Sequence, residues 1–391
     1  MIAFDEALSI INSSATVLGS ERIPLFKSPG RILATDVTAH RDVPAHDLSA
    51  MDGYACRASD RKGPLTVIET IAAGSSPRRR IGPGRCSRIM TGAPLPPGAD
   101  CVVMFEDAVE LAGVVSVKNI RDKTNVRCRA EDQKKGDRIL RTGTIIKPAA
   151  AAVLASEGHD PVTVFRRPSV AVIATGDELV EPNENPDDFQ IRNSNSVQLH
   201  AQILEAGCLP SYFGIASDTP EAIGAMFDRA LTRCDVILLS GGVSAGDFDF
   251  VVPMLAARGI KIIFNGIEVK PGKPTLFGTS NNRFIFGMPG NPVSSLVIFE
   301  MLVKPFLYRM MGHEFSHRSV HAKLAETIKR WKGDRLEFIP VSLAEDNTVR
   351  RVPYHGSAHI DAYAKACGMI AIPENSTILE KESVVEVILL W

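Results

Sequence analysis

Four polar, Gly-rich clusters carry the residues of this 391-residue chain whose types and spacing suit chemistry. Thr175-Gly176-Asp177-Glu178 directly follows the apolar run 170–174. Ser240-Gly241-Gly242-Val243-Ser244-Ala245-Gly246-Asp247-Phe248-Asp249 directly follows a second apolar run, 236–239. Its glycines let backbone N–H groups close on an anion. Asp247 and Asp249 form a carboxylate pair able to hold a hard cation such as Mg²⁺ against phosphate oxygens. Lys270-Pro271-Gly272-Lys273-Pro274 is a loop stiffened by proline that carries two cations. Met288-Pro289-Gly290-Asn291-Pro292 reads as a helix start, with Asn291 at the N-cap and Pro292 in the first helical position, and so as another anion site. Any one cluster is as readily a turn. Four of them at strand ends within one domain imply a phosphate-bearing ligand and a divalent metal.

The elements that must hold these clusters are legible from periodicity. Between 167 and 312 apolar strands alternate with helices: strand 170–174, helix 195–206 stopping at Gly207, strand 211–215, helix 220–232, strand 235–239, helix 250–258, strands 260–264 and 283–286, and a long helix 292–310. Such a βαβ series predicts a three-layer α/β domain with a mostly parallel sheet, whose ligands bind at the carboxyl ends of strands. Ahead of it, Phe4, Ala7, Leu8, Ile11 and Ala15 mark one face of a helix that Asp5 is placed to cap, and 147–157 reads as a second helix entered at Pro148. The segment 39–136 instead has short β-branched runs (65–71, 101–105, 114–117) separated by Gly/Pro turns, an inserted β-domain. Beyond His313 short strands return, suggesting a small C-terminal barrel or sandwich. Arg78-Arg79-Arg80 reads as a solvated turn.

Composition bounds the rest. The length predicts two to four domains, and 23% charged residues with a net charge of −1 fit a globular chain without the basic excess of a nucleic-acid binder. Seven scattered cysteines form no C-x-x-C pair and no even disulfide framework, so they read as reduced thiols in a cytoplasmic setting. No apolar stretch approaches the roughly 20 residues that span a bilayer. A dinucleotide G-x-G-x-x-G after the first strand and a Walker A loop are both absent.

At these residues the chain resembles the molybdopterin molybdenumtransferases, the family of bacterial MoeA and the gephyrin E domain. The resemblance rests on Ser49-Ala50-Met51-Asp52-Gly53-Tyr54-Ala55, Arg88-Ile89-Met90-Thr91-Gly92-Ala93-Pro94, Glu131-Asp132, Thr175 to Leu179, the 240–249 loop, Lys270 to Pro274, Met288 to Ser294 and Gly356-Ser357. It implies a homodimer whose chains have four parts: a split linker domain (1–38 plus 137–166), an inserted β-domain (39–136), an α/β molybdopterin-binding domain (167–315) and a C-terminal β-domain (316–391). It also implies the reaction, in which adenylylated molybdopterin and molybdate give molybdenum cofactor and AMP with Mg²⁺.

Residue roles follow from the same resemblance. Asp52, Thr91, Asp132, Glu178, Asp218, Asp249, Lys270 and Lys273 are the expected catalytic set, with Asp249 and Glu178 on the metal. Thr175, Gly176, Asp177, Ser240, Gly241, Gly242, Ser244, Asp247, Pro274, Pro289, Gly290, Asn291, Pro292, Ser294 and Ser357 are expected to hold the cofactor. Asp52 and Thr91 lie in the part that in this family reaches the site across the dimer. Molybdopterin adenylyltransferase and acceptor molybdoenzymes are the candidate protein partners. Three positions depart from the family pattern: Pro340 where an Arg is usual, Gly266 where Lys or Arg is common, and Ala130 where Gly is usual. The first two keep a second reading open, a paralogue that binds molybdopterin or a partner protein without inserting metal. A third is an adenylyltransferase, which shares the 240–249 loop.

Overall fold

The computed structural model describes residues 1–242 and 250–390. Ser244, Asp247 and Asp249 therefore lie outside the described residues. Two compact units divide the chain: Met1–Thr35, Thr142–Ala151 and Asp160–Trp391 form the first, Asp36–Arg141 and Ala152–His159 the second.

The first unit is built on a six-stranded sheet ordered Leu209–Ala216, Ser169–Thr175, Val236–Ser240, Arg283–Met288, Leu276–Ser280, Lys261–Asn265. The first four strands pair in parallel. Leu276–Ser280 runs antiparallel to both of its neighbours, so the other five strands all point the same way. The expected mostly parallel sheet is present, with one strand that periodicity did not reveal. Its sequence signal was Asn281-Asn282, both at positive φ, which turn Ser280 back onto Arg283 as a two-residue hairpin loop. The central strands are buried along their length and their runs are apolar throughout, as a sheet covered on both faces requires.

Helices cover the sheet close to the predicted spans. Ser194–Glu205 starts at an N-cap Asn193 that accepts from the Ser196 N–H, and Pro220–Arg233 starts at Thr219, which accepts from the Ala222 N–H. The first helix, Phe4–Ser14, buries Phe4, Ala7 and Ile11, but Asp5 does not cap it: the N-cap is Ala3, without a side-chain bond, and Asp5 sits within the first turn. The extended start, with Ile2 N–H bonded to Gly266 O, fixes that boundary. The long helix 292–310 is also not continuous. Pro292–Ile298 and Lys304–Met310 are joined by a π-helical stretch, Phe299–Val303. Pro305 explains it: proline lacks the N–H and its ring clashes with the carbonyl four residues back, so the preceding turn widens.

The C-terminal part is a barrel rather than a sandwich. Leu336–Leu343, Thr348–Arg351, Ser319–Leu324, Val384–Leu389 and Gly368–Ile372 pair in sequence, and the last pairs back onto the first. A short strand, Val269–Lys270, adds in parallel to the start of Leu336–Leu343, with Val269 opposite Leu336 and Lys270 opposite Glu337.

The second unit carries its own six-stranded sheet, ordered Cys101–Met104, Gly53–Cys56, Arg85–Ile89, Leu65–Ile71, Val114–Val117, Ala108–Leu111. Its core includes Cys56, Cys86 and Cys101; all seven cysteines are free thiols, and only Cys128 is exposed. The Arg78 and Arg79 N–H groups donate to Glu69 while their side chains stay in solvent. Ala130 stands at φ 61°, in the left-handed region. A non-glycine residue there costs about 1–2 kcal/mol, against the roughly 0.5–1 kcal/mol of extra chain entropy a glycine gives up. Ala130→Gly should therefore raise the stability of the second unit by about 0.5–1 kcal/mol, read as a higher Tm.

Candidate functional site

Because the parallel strands share a direction, their carboxyl ends meet at one edge of the sheet. There the first unit has a cavity of about 1180 Å³. Each strand end contributes to its wall: Thr175, Gly176 and Glu178 after the first strand, Asp218 after the edge strand, Ser240 to Gly242 after Val236–Ser240, and Pro289, Gly290 and Asn291 after Arg283–Met288. Pro292 and Ser294 add the first turn of the following helix. Lys270, Lys273 and Pro274 reach the same wall from the loop joining the last two strands, because that loop opens at the same edge. Ser357 arrives from the barrel. Asp177 is the exception among the described first-unit candidates. It turns to Asp218 instead: Asp218 N–H donates to the Asp177 carboxylate at 3.1 Å, and Asp177 N–H to the Asp218 carboxylate at 3.4 Å.

Glycine is required at two points of this wall. Gly176 stands at φ 148°, and a Cβ there would lie 2.4 Å from a Glu178 carboxylate oxygen. Gly241 stands at φ 99°, and a Cβ would lie 2.6 Å from the Thr175 carbonyl oxygen. Beneath that turn the Thr175 hydroxyl is buried with no hydrogen-bond partner among the described residues. A buried hydroxyl left unpaired beside a glycine turn fits a polar ligand that completes it.

Two features of the site were not read from the sequence. Asn195, nine-tenths buried, donates both to Ser240 Oγ at 3.0 Å and to the Gly290 carbonyl at 2.7 Å, tying two of the loops together. The polar run Arg192-Asn193-Ser194-Asn195 at a helix start was its only signal. Glu337, 7% exposed, lies 2.9 Å from Lys270 Nζ and 3.5 Å from Arg330 Nη1. An acid within the run Leu336-Glu337-Phe338-Ile339 was the clue to it. At the helix start Asn291 does not cap with its side chain. Its amide donates to Ser357 Oγ at 2.8 Å, and the Ser357 carbonyl accepts the Val293 N–H at 3.0 Å.

Pro340 and Gly266 are absent from the cavity wall, whereas Arg335 and Arg351 stand on it. Pro340 is buried in its barrel strand, opposite Met369, and accepts the Val352 N–H. Gly266 is a buried turn at φ 95° whose Cβ would lie 3.1 Å from Met1 Cγ. Among the described residues the wall cations are thus Arg192, Lys270, Lys273, Arg335 and Arg351, alongside Glu178, Asp218 and Glu337. Among the described residues no three His, Cys, Asp or Glu side chains converge as a metal cage. Glu178 and Asp218 fit an ion that takes one or two carboxylates and completes its shell with phosphate and water, as Mg²⁺ does.

Three expected residues belong to the second unit. Asp52 accepts from the Thr91 N–H at 2.6 Å and from its hydroxyl at 2.8 Å, and these bonds hold its carboxyl below the usual range. Asp132 pairs with Arg127.

Three sequence profiles match along the chain: the MoeA N-terminal region (domains I and II) over residues 2–158, a probable molybdopterin-binding domain over 171–309, and the MoeA C-terminal region (domain IV) over 321–390. A molybdopterin molybdenumtransferase of Staphylococcus aureus is 33% identical over 99% of this chain and 95% of its own length. The chain belongs to the MoeA family of molybdopterin molybdenumtransferases. A second member, from Bacillus subtilis, is 38% identical over 81% of this chain and 76% of its own. The crystal structure of the molybdopterin biosynthesis MoeA protein from Pyrococcus horikoshii OT3 superposes with a TM-score of 0.86 at 29% identity, covering 100% of both chains.

Two substitutions test these placements, one on the wall and one off it. Gly241→Ala should abolish binding of a phosphate-bearing ligand, measured by calorimetric titration, since the new methyl meets backbone rather than a movable side chain. Pro340→Arg should lower the Tm by burying a guanidinium, at a cost of about 1–3 kcal/mol, without tightening oxyanion binding.

Proposed function

We propose that this MoeA-family transferase inserts molybdenum from molybdate into adenylylated molybdopterin, with release of AMP and dependence on Mg²⁺. The observation that carries the reading is the single wall on which, among the described residues, glycine turns, a buried unpaired hydroxyl, three carboxylates and five cations converge. The turns at Gly176 and Gly241–Gly242 present backbone N–H groups to phosphate. Lys270, Lys273, Arg335 and Arg351 draw in the molybdate dianion, and the Ser357 hydroxyl, whose oxygen is engaged by Asn291, keeps its own proton to donate. Bound Mg²⁺ would neutralise charge developing on the phosphates. Glu178 and Asp218 are its proposed ligands here, together with Asp249. Asp52, Thr91, Asp132, Asp177, Ser244 and Asp247 are retained as site residues on the family resemblance.

We further propose the four-part division at 1–38 plus 137–166, 39–136, 167–315 and 316–391, a homodimer, and a cytoplasmic location. Free thiols support the last, and among the described residues no helix is long and apolar enough to cross a membrane. Matches on both sides of the molybdopterin-binding region speak against a lone adenylyltransferase. Pro340 and Gly266, the two departures that favour a non-inserting paralogue, stand off the wall, and Arg335 and Arg351 supply cations on it.

Incubation with adenylylated molybdopterin, Mg²⁺ and molybdate should give molybdate-dependent AMP and reconstitute an apo-molybdoenzyme, and EDTA should stop both. Tight substrate binding with no molybdate-dependent AMP would make the chain a carrier and overturn the proposal.

A further inference from the structure

We propose that Glu337 is a positioning residue that sets the Lys270 ammonium on the cavity wall for an incoming tetrahedral dianion, an inference that rests on the cavity's taking molybdate. Backbone register places the pair first. Val269–Lys270 joins the barrel in parallel, with Lys270 opposite Glu337. Lys270 Nζ lies 2.9 Å from one Glu337 oxygen, and the Lys270 side chain is still 55% exposed. Its ammonium is held on one side and open on the other.

Glu337 could instead exist only to satisfy Arg330. The distances argue otherwise. Arg330 already donates to three backbone carbonyls, those of Arg335 at 2.8 Å, Ser376 at 2.5 Å and Pro373. Its approach to Glu337, 3.5 Å, is the longer of the two that carboxylate makes. Arg330 offsets the cost of burying the acid, and the short bond goes to Lys270.

The arrangement solves a specific problem. A lysine on an open wall is a flexible point charge that loses much rotamer freedom when it meets an anion. A fixed carboxylate removes that freedom in advance. Arg330 balances the carboxylate's charge, so the trio Arg330, Glu337 and Lys270 still presents one net positive charge to the cavity. Pre-ordering of this kind improves anion binding by lowering the entropy lost on association.

The test is a double-mutant cycle on the full-length chain with molybdate as the probe, read as equilibrium binding and as KM for molybdate. Glu337→Gln should weaken molybdate about tenfold, the scale of one charge-assisted contact, and Lys270→Ala at least as much. In the double variant the loss should match that of Lys270→Ala alone, which a merely structural role for Glu337 would not produce. Additive losses, or a folded Glu337→Gln that binds molybdate as well as or better than wild type, would overturn the assignment. If Glu337→Gln does not fold, Glu337→Asp keeps the charge one methylene short and should give an intermediate KM; a wild-type KM in that variant also overturns it. A wild-type chain that binds molybdate and inserts none defeats the insertion reading, while the cycle on binding still decides Glu337.

Discussion

Everything at the site depends on strand direction. Five of the six strands of the main sheet point one way, so the loops that follow them open at one edge, and residues far apart in sequence share a wall. The antiparallel strand Leu276–Ser280 does not break this arrangement. It returns the chain so that the lysine loop opens on the same side as the phosphate-type turns. Side chains then need only local geometry, a glycine here and an asparagine there, to finish a site whose position the sheet has already chosen.

Electrostatics act on that frame locally. The chain as a whole is almost neutral, with 44 basic and 45 acidic residues, and its net charge says little about an anion site. Within the cavity, among the described residues, five cations face three carboxylates. The carboxylates are not distributed evenly. Glu178 and Asp218 lie beyond the parallel strands, near the glycine turns, whereas Glu337 lies in the barrel beside Lys270. One end of the wall therefore suits a metal shared with phosphate, and the other suits a small oxyanion.

Much of this was legible in the sequence. Continuous apolar runs gave the parallel strands, and the Gly-rich clusters behind them gave most of the first-unit wall, because the chemistry of a strand-end turn is local. Legibility failed where the cause is remote. Leu276–Ser280 hides in a hairpin whose signal is two asparagines. The break at Phe299–Val303 comes from a proline further along. Glu337 and Asn195 act through Lys270, Ser240 and Gly290, which stand about 45 to 95 residues away in sequence, a separation no spacing rule reads. At the two departures from the family pattern the chain carries no cation: Pro340 is packed in a barrel strand and Gly266 forms a buried turn. Of the guanidiniums on the wall, Arg335 directly precedes that strand, Arg351 ends its barrel neighbour and Arg192 precedes the helix Ser194–Glu205.

Asn195 has a mechanical consequence. One carboxamide nitrogen, fixed near the start of a helix, grips the serine that ends one strand and the glycine carbonyl of the loop beyond another. The end of one strand and the turn beyond another are thereby cross-braced, so a load on one is shared with the other.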